Sequence, residues 1–228
     1  MKIKYWNKMN KRILIVCIVL FASLLSANMK LARLHYSGGG DWYNNPEVLP
    51  NLAKFANEKL GTRIALEESI VELNDANLAD YPFLYITGHG KIKLSKRERE
   101  GLRSYLDNGG FLYVDDDFGL DKSFRVEMKA LFPERELVEL PKEHEIFSSF
   151  YKFPQGTPKI HKHDEKRPQT FAIYDDYGRI VVIYTFETNI SDGWADPSTH
   201  KDSEATRQKA FKMGTNILNY ILNYILTR

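Results

Sequence analysis

Cysteine is nearly absent from this sequence of 228 residues. The single cysteine, Cys17, lies inside an apolar segment close to the start of the chain. The rest of the chain therefore has no thiol that could form a disulfide, bind a metal ion as a thiolate or attack a substrate. Two common catalytic signatures are missing as well, the H-E-x-x-H zinc motif and the G-x-S-x-G nucleophile turn.

A charge excess of one sign is also missing. The formal net charge is +2, from 32 basic and 30 acidic residues. Five of the basic residues precede residue 13, with no acid among them: Lys2, Lys4, Lys8, Lys11 and Arg12. The remaining residues therefore contain 27 basic and 30 acidic side chains. A near-neutral domain lacks the basic surface that phosphate backbones require, so we expect no nucleic-acid partner.

An apolar run over residues 13–27 directly follows these cations. The pattern is typical of a signal peptide, and it is shorter than the roughly 20 apolar residues that span a bilayer. Ser26 and Ala27 suit a cleavage site but Leu25 fits the −3 position poorly, so cleavage and retention as an anchor both stay open. We predict an export segment over residues 1–27, followed by a single α/β domain over residues 28–228. The protein is then periplasmic, or anchored facing the periplasm, with membrane contact only through this segment.

Strand and helix patterns alternate along the predicted domain. Apolar runs predict strands at 31–36, 83–87 and 111–114, a further strand within 64–73, and an antiparallel hairpin of 169–174 with 179–186. Amphipathic patterns predict helices at 46–60, 95–108, 121–132 and 203–226. This alternation predicts an α/β fold with a mostly parallel sheet and a late antiparallel hairpin, in which 83–87 and 111–114 are parallel neighbours or near neighbours.

Ligands of such folds bind beyond the carboxyl ends of the strands. The segments 38–42, 88–90, 115–119 and 187–200 follow predicted strands, so we expect them to converge at one edge. The candidate catalytic residues there are His89, Asp115 and Asp116. The candidate ligand-binding residues are Gly39, Asp41, Trp42, Gly88, His89, Asp192 and Trp194. The alternative for residues 88–90 is a tight turn with a surface histidine, and for residues 115–117 it is acids that cap a helix or face water. Residues 187–200 are predicted to form one long loop, which suits an ordered lid better than a flexible linker.

A histidine pair at His161 and His163 is the sharpest local feature. In an extended segment, residues two apart project to the same side, so both imidazoles would reach one cation. With Asp164 and Asp116 they would form a nitrogen and oxygen set suited to zinc, manganese or iron. No cofactor follows with certainty, and a divalent metal is the candidate. We predict that one of the two imidazoles contacts His89 or the 115–117 loop in a concave pocket; hydrogen bonding between loops is the alternative.

Many short blocks over residues 31–224 resemble the domain-of-unknown-function 4159 family. They include Gly39-Gly40-Asp41-Trp42-Tyr43, Gly88-His89-Gly90, Asp115-Asp116, Pro158-Lys159-Ile160-His161 and Asp192-Gly193-Trp194. The chain departs from the family pattern at residues 165–167, where a turn containing glycine is expected. The resemblance implies a flavodoxin-like three-layer sandwich similar to class I glutamine amidotransferases, no assigned activity, and envelope proteins as partners. Amidotransferase chemistry needs a cysteine nucleophile, and Cys17 in the export segment cannot serve, so we expect no glutaminase activity.

Two functions from different classes remain open. The first is an exported envelope protein whose amidotransferase-like domain binds a ligand or a partner. The alternative is a metal-dependent hydrolase that uses His89, the 115–117 acids and the His161 and His163 pair.

Overall fold

The computed structural model describes residues 29–161 and 166–226. The export segment predicted over residues 1–27 lies outside these ranges. Within them, none of the helices combines the length and the apolar character that crossing a membrane would require.

A seven-stranded sheet forms the centre of the domain. Its strands are β1 (Leu31–Leu34), β2 (Ser69–Val71), β3 (Phe83–Ile86), β4 (Phe111–Asp115), β5 (Val138–Glu139), β6 (Gln169–Tyr174) and β7 (Ile180–Phe186). They lie in the order β2-β1-β3-β4-β7-β6-β5. The neighbouring strands β2, β1, β3, β4 and β7 are parallel to one another, whereas β6 runs antiparallel to both β7 and β5. The predicted mostly parallel sheet with a late antiparallel hairpin is confirmed.

Helices cover both faces of this sheet. They are α1 (Val48–Leu60), α2 (Lys96–Asp107), α3 (Asp121–Leu131), the short α4 (Pro197–His200) and α5 (Glu204–Leu226). Helices α1 and α5 share one apolar core with the sheet, and α2 and α3 share the core on the other face. The fold is therefore an α/β sandwich of the flavodoxin-like, three-layer kind.

Strands β3 and β4 show why the central sheet forms. They are parallel neighbours in the register Phe83↔Phe111, as the apolar runs predict. Phe83 and Tyr85 enter one core, Leu84 and Ile86 enter the other, and each is 0% exposed. A strand buried on both faces favours apolar residues throughout, and residues 83–86 and 111–114 show this pattern.

Helix ends follow the expected signals, with small shifts. A capping box starts α2, because Ser95 Oγ accepts from the Glu98 N–H (3.2 Å) and Glu98 Oε2 accepts from the Ser95 N–H (2.7 Å). Helix α1 begins at Val48 rather than residue 46 and ends at Gly61 in the left-handed conformation (φ 69°). The segment 187–200, predicted as one long loop, contains a 3₁₀ turn (Ser191–Trp194) and α4.

The carboxyl ends of the parallel strands meet at one edge, where four connecting segments touch. The His89 N–H donates to Asp41, the Gly90 N–H donates to the Phe118 carbonyl (3.1 Å), and Asn189 Nδ2 donates to Asp117 Oδ1 (2.5 Å). The predicted convergence of these segments is confirmed. Gly88 is needed here because its φ is 135° and a Cβ would lie 2.6 Å from the Tyr36 hydroxyl oxygen.

Candidate functional site

His89 lies between two carboxylates at this edge. Its Nδ1 is 3.0 Å from Asp41 Oδ2, and its Nε2 is 3.2 Å from Asp117 Oδ2. Burial lowers the pKa of His89, but the hydrogen bond with Asp41 and the charges of Asp117 and Asp41 outweigh it, so the pKa is raised overall. The side chain is 48% exposed, which leaves the ring accessible to a ligand.

Asp117 is the buried partner of this histidine. Its Oδ2 accepts from Asn44 Nδ2 (2.7 Å), and Asn189 Nδ2 donates to its Oδ1. Burial, followed by the charge of Asp192, raises the pKa of Asp117 to about 7, against the opposing effect of His89. Sequence reasoning placed Asp117 in an acidic cluster without selecting it, whereas the structure makes it the acid that contacts His89.

Asp115, a predicted catalytic residue, is enclosed in the core. It is 0% exposed, and burial raises its pKa. Oδ1 accepts from the Thr185 hydroxyl (2.5 Å) and the Thr188 hydroxyl (3.0 Å), and Oδ2 accepts from the Ser191 N–H and hydroxyl, both at 2.6 Å. These four hydrogen bonds attach β4 to residues 185–191, so the role of Asp115 is structural.

Asp116, predicted both as a catalytic residue and as a metal ligand, instead binds the backbone of the residue that precedes α3. Its Oδ1 accepts from the Leu120 N–H (3.0 Å) at the start of α3, and its Oδ2 accepts from the Tyr184 hydroxyl (3.3 Å). Burial raises its pKa to about 6. The structure therefore assigns Asp116 to the α3 terminus and does not bring it to an imidazole.

A second imidazole and carboxylate group surrounds Asp192. His161 Nδ1 is 3.0 Å from Asp192 Oδ2, and His200 Nε2 is 3.5 Å from Asp192 Oδ1. On its other side, His161 Nε2 is 2.8 Å from Asp202 Oδ2. Burial raises the pKa of Asp192, but the hydrogen bond with His161 and the charge of His200 outweigh it and lower that pKa overall. The hydrogen bond with Asp192, opposed by burial, raises the pKa of His161 to about 9.

Asn189 connects the two groups. Its Nδ2 donates to Asp117 Oδ1 (2.5 Å) and lies 3.2 Å from Asp192 Oδ2. In place of the predicted direct contact with the 115–117 loop, His161 contacts Asp192, and Asn189 joins Asp192 to Asp117. His163 and Asp164, the other predicted metal ligands, lie outside the described residues.

Arg33 holds the segment that precedes α1, and sequence reasoning missed it. The side chain is 1% exposed, and its Nε donates to Glu68 Oε1 (3.0 Å). Its terminal nitrogens donate to the carbonyls of Trp42 (3.0 Å), Asn44 (2.7 Å) and Asn45 (2.9 Å). Asn44 donates to Asp117 and Asn45 donates to Asp192. By holding the backbone of these two asparagines, Arg33 helps to position both the His89 and Asp117 pair and the group around Asp192. A lone arginine in an otherwise apolar strand was the available signal.

Two of the predicted ligand-binding residues pack against other side chains or backbone, and a third is an exposed glycine. Trp194 is 0% exposed and its indole N–H donates to the Ala210 carbonyl (2.9 Å), so it belongs to the core beneath the site. Trp42 is half-buried, with its ring 4.3 Å from that of His35. Gly39 is exposed with a φ of 86°, and a Cβ there would meet no atom within 4 Å.

A cavity of about 260 Å³ opens beside Asp117. It is lined by acids, by two lysines and by two phenylalanines, among other residues: Asp116, Asp117, Asp121, Glu187, Lys122, Lys166, Phe118 and Phe186. Phe118 is 55% exposed although it is a large apolar residue. A small ligand would therefore meet both carboxylates and aromatic faces.

Backbone strain also concentrates around this edge. Among the described residues, four that are not glycine have positive φ: Asn45 (50°), Glu187 (58°), Asn189 (50°) and Lys201 (58°). Asn45 and Asn189 contact Asp192, and Lys201 lies between His200 and Asp202. Such conformations cost free energy and persist where the surrounding structure requires them.

The fold and its polar edge define an α/β sandwich protein whose candidate site consists of imidazoles and carboxylates. Residues 30–222 match the family described as "Domain of unknown function (DUF4159)", and the chain belongs to that family. None of the curated proteins matches the chain.

Proposed function

We propose that this protein is an exported envelope protein whose α/β domain binds a cationic ligand, bearing an ammonium or guanidinium group, at the carboxyl edge of its sheet. The domain has no glutaminase activity in this proposal. The observation that carries the proposal is the cavity beside Asp117, whose lining has more acids than lysines and includes the exposed side chain of Phe118.

The cavity has the chemistry that recognises organic cations. Asp116, Asp117, Asp121 and Glu187 outnumber the two lysines in its lining. Cations are attracted to the faces of aromatic rings, and burial near carboxylates strengthens the attraction. The Lys166 ammonium lies 5.6 Å from the Phe186 ring centroid and 3.4 Å from Glu187, so the protein itself pairs an ammonium group with a ring and a carboxylate here. A ligand cation would use the exposed Phe118 instead.

The absence of glutaminase activity rests on the sequence. Cys17, the single cysteine, belongs to the predicted export segment, and a glutaminase needs a cysteine nucleophile beside a histidine. Incubation of the purified full-length protein with glutamine should release no ammonia. Ammonia release that depends on His89 would contradict this part of the proposal.

Titration with small cations tests ligand binding. Agmatine and cadaverine should bind the full-length protein measurably in isothermal titration, and the neutral analogue 1-pentanol should not. Phe118→Ala should weaken binding several-fold, since a cation over an aromatic ring contributes about 0.5–2 kcal/mol. Phe118 is exposed, so its replacement leaves the core intact.

The matched control is Tyr177→Ala. Tyr177 is 82% exposed and lies in the turn between β6 and β7, away from the carboxyl edge. Its replacement should leave the affinity for agmatine unchanged. Equal weakening by both replacements, or equal binding of agmatine and 1-pentanol, would contradict the proposal.

A second candidate, metal-dependent hydrolysis, is favoured by one specific observation, the grouping of His161, Asp192 and His200. His89 would then act as the general base or acid beside the metal, because its ring is half exposed and bonded to carboxylates. With Zn²⁺ or Mn²⁺ added, the protein should hydrolyse bis(p-nitrophenyl) phosphate, and His89→Gln should abolish turnover. Absence of turnover by the unmodified protein with either ion would contradict this candidate.

A further inference from the structure

We infer that His161, Asp192 and His200 form a binding site for a divalent transition-metal ion of the zinc class. One ligand atom from each lies within 4.8 Å of the others. The three side chains come from two separate segments, His161 before β6 and the other two after β7, so the fold itself brings them together.

The distances suit a tetrahedral ion after a small adjustment. Bonds of about 2.0–2.1 Å to nitrogen and oxygen place neighbouring ligand atoms about 3.3 Å apart. The observed separations are 3.0 Å from Asp192 Oδ2 to His161 Nδ1 and 3.5 Å from Asp192 Oδ1 to His200 Nε2. With one ligand atom per residue, all three atoms lie within 4.8 Å of one another, so the widest pair must close by at most about 1.5 Å. His200 has the most exposed of the three side chains and the most room to move. That side chain is 27% exposed, at the end of the short helix α4.

Asp202 orients His161 for this role. Its Oδ2 is 2.8 Å from His161 Nε2. When Nδ1 loses its proton to a metal ion, Nε2–H still donates to Asp202, and the Nδ1 lone pair is directed toward Asp192 and His200. Histidines that bind metal ions generally donate their second ring nitrogen to a carboxylate in this manner, which fixes the tautomer and the ring. This contact is independent of the three ligand atoms and supports the same site.

Asp192 is held for the same purpose. It is 5% exposed, and it accepts from Asn45 Nδ2 (2.9 Å) and Asn189 Nδ2 (3.2 Å). Both asparagines have positive φ, as does Lys201 between His200 and Asp202. The chain thus adopts unfavourable backbone conformations at three of the residues that frame the ligands.

Two imidazoles and one carboxylate select the metal. Such a set suits zinc, cobalt, manganese or iron, whereas magnesium and calcium prefer oxygen ligands alone. Three protein ligands leave a coordination position for water or a substrate group. The inference does not depend on binding of an organic cation, and it supplies the metal centre that the hydrolase candidate requires.

Metal titration of the purified full-length protein, stripped with a chelator, tests the site. Isothermal titration should show one Zn²⁺ bound per chain, with Mg²⁺ binding far more weakly. His161→Gln and His200→Gln should each remove this binding, and Asp202→Asn should weaken it about 10–100-fold because it no longer fixes His161.

The matched control is His35→Gln, because His35 is an exposed histidine that pairs with Glu72 and is not one of the three ligands. It should bind Zn²⁺ with unchanged affinity. Co²⁺ should give visible absorption bands of a tetrahedral site in the unmodified protein and in His35→Gln, but not in His161→Gln. Circular dichroism of each variant confirms that the fold is retained.

The inference is overturned if folded His161→Gln and His200→Gln bind Zn²⁺ as tightly as the unmodified protein does, or if that protein binds none. If the protein binds zinc but does not hydrolyse the phosphodiester, the metal site is supported and only the hydrolase candidate is contradicted. Loss of agmatine binding in Phe118→Ala leaves the metal site untouched, so the three proposals fail separately.

Discussion

Asp116 shows at the scale of one residue how burial links folding to pH. The unfolded value for an aspartate is 3.8, and burial raises the folded pKa to about 6, partly offset by the Leu120 N–H and Tyr184 and reinforced by the charges of Asp121 and Asp115. The folded state therefore binds more protons between these two values. The contribution of Asp116 to the free energy of unfolding then falls as pH rises from about 4 to about 6, by up to about 3 kcal/mol.

Asp116→Asn should remove this pH dependence. The amide keeps an oxygen for the Leu120 N–H and carries no charge, so the variant should gain stability relative to the unmodified protein above about pH 6. Urea unfolding at about pH 4.5 and 7.5 measures the difference. Asp176→Asn is the control, because Asp176 is 82% exposed; an identical pH response in both variants would contradict the prediction.

Arg33 gives a second prediction at this scale. Lysine cannot reproduce the fork that serves Glu68 and the three carbonyls of residues 42–45, so Arg33→Lys should lower the free energy of unfolding by about 2–4 kcal/mol. It should also weaken Zn²⁺ binding, because Asn45 loses its support. Chemical unfolding and metal titration measure the two effects. Arg97→Lys, at an exposed residue of α2, should change neither, and unchanged Zn²⁺ affinity in folded Arg33→Lys would remove the positioning role.

At the scale of elements, the strands and long helices were predictable because each carries its own pattern. Continuous apolar runs mark β3 and β4, and the Ser95 and Glu98 pair marks the start of α2. The ordered conformation of residues 187–202 was not predictable, because residues far away in the sequence stabilise it. Asn51 Nδ2 donates to the Trp194 carbonyl (2.9 Å), Arg207 donates to the Ala195 carbonyl (2.8 Å), and the Thr199 hydroxyl donates to Glu47 (2.9 Å).

Helix α5 offers a prediction about packing between elements. A Cβ at Gly214 would lie 2.6 Å from Leu52 Cδ1 and 2.6 Å from Trp194 Cζ2. Gly214→Ala should therefore destabilise the domain by about 1–3 kcal/mol, although alanine favours a helix over glycine by up to about 1 kcal/mol. Thermal unfolding measures the sign. Lys209→Ala, on the exposed side of α5, is the control; a stabilised Gly214→Ala would show that the contact relaxes freely.

At the scale of the whole molecule, the location of the site followed from the topology, but its pairings did not. The rule for parallel sheets places residues 88–90 and 115–119 at one edge. Nothing in the sequence indicates that Asp117 rather than Asp116 meets His89, since adjacent residues of a loop turn in directions that only packing determines. For the same reason, His161 meets Asp192 and Asp202 instead of the 115–117 acids.

Export is a prediction that rests on residues 1–27. A reporter that is active only outside the cytoplasm, fused after Arg228, should be active, because the basic and apolar pattern of these residues is typical of an export segment. The same fusion without residues 1–27 should be inactive. An inactive full-length fusion found in the cytosolic fraction would contradict the prediction.

The partners of Asp115 have a consequence for how the chain is made. The residues that donate to this buried carboxylate follow it by 70 to 76 positions, in β7 and the segment beyond. A nascent chain that ends before β7 must bury an unsatisfied carboxylate or leave β4 open on one side, and both are unfavourable. A fragment ending at residue 178 should thus be digested rapidly by proteases that spare the full chain. Late completion of the sheet would keep the emerging polypeptide unfolded during synthesis, the state in which threading through a narrow membrane pore is easiest.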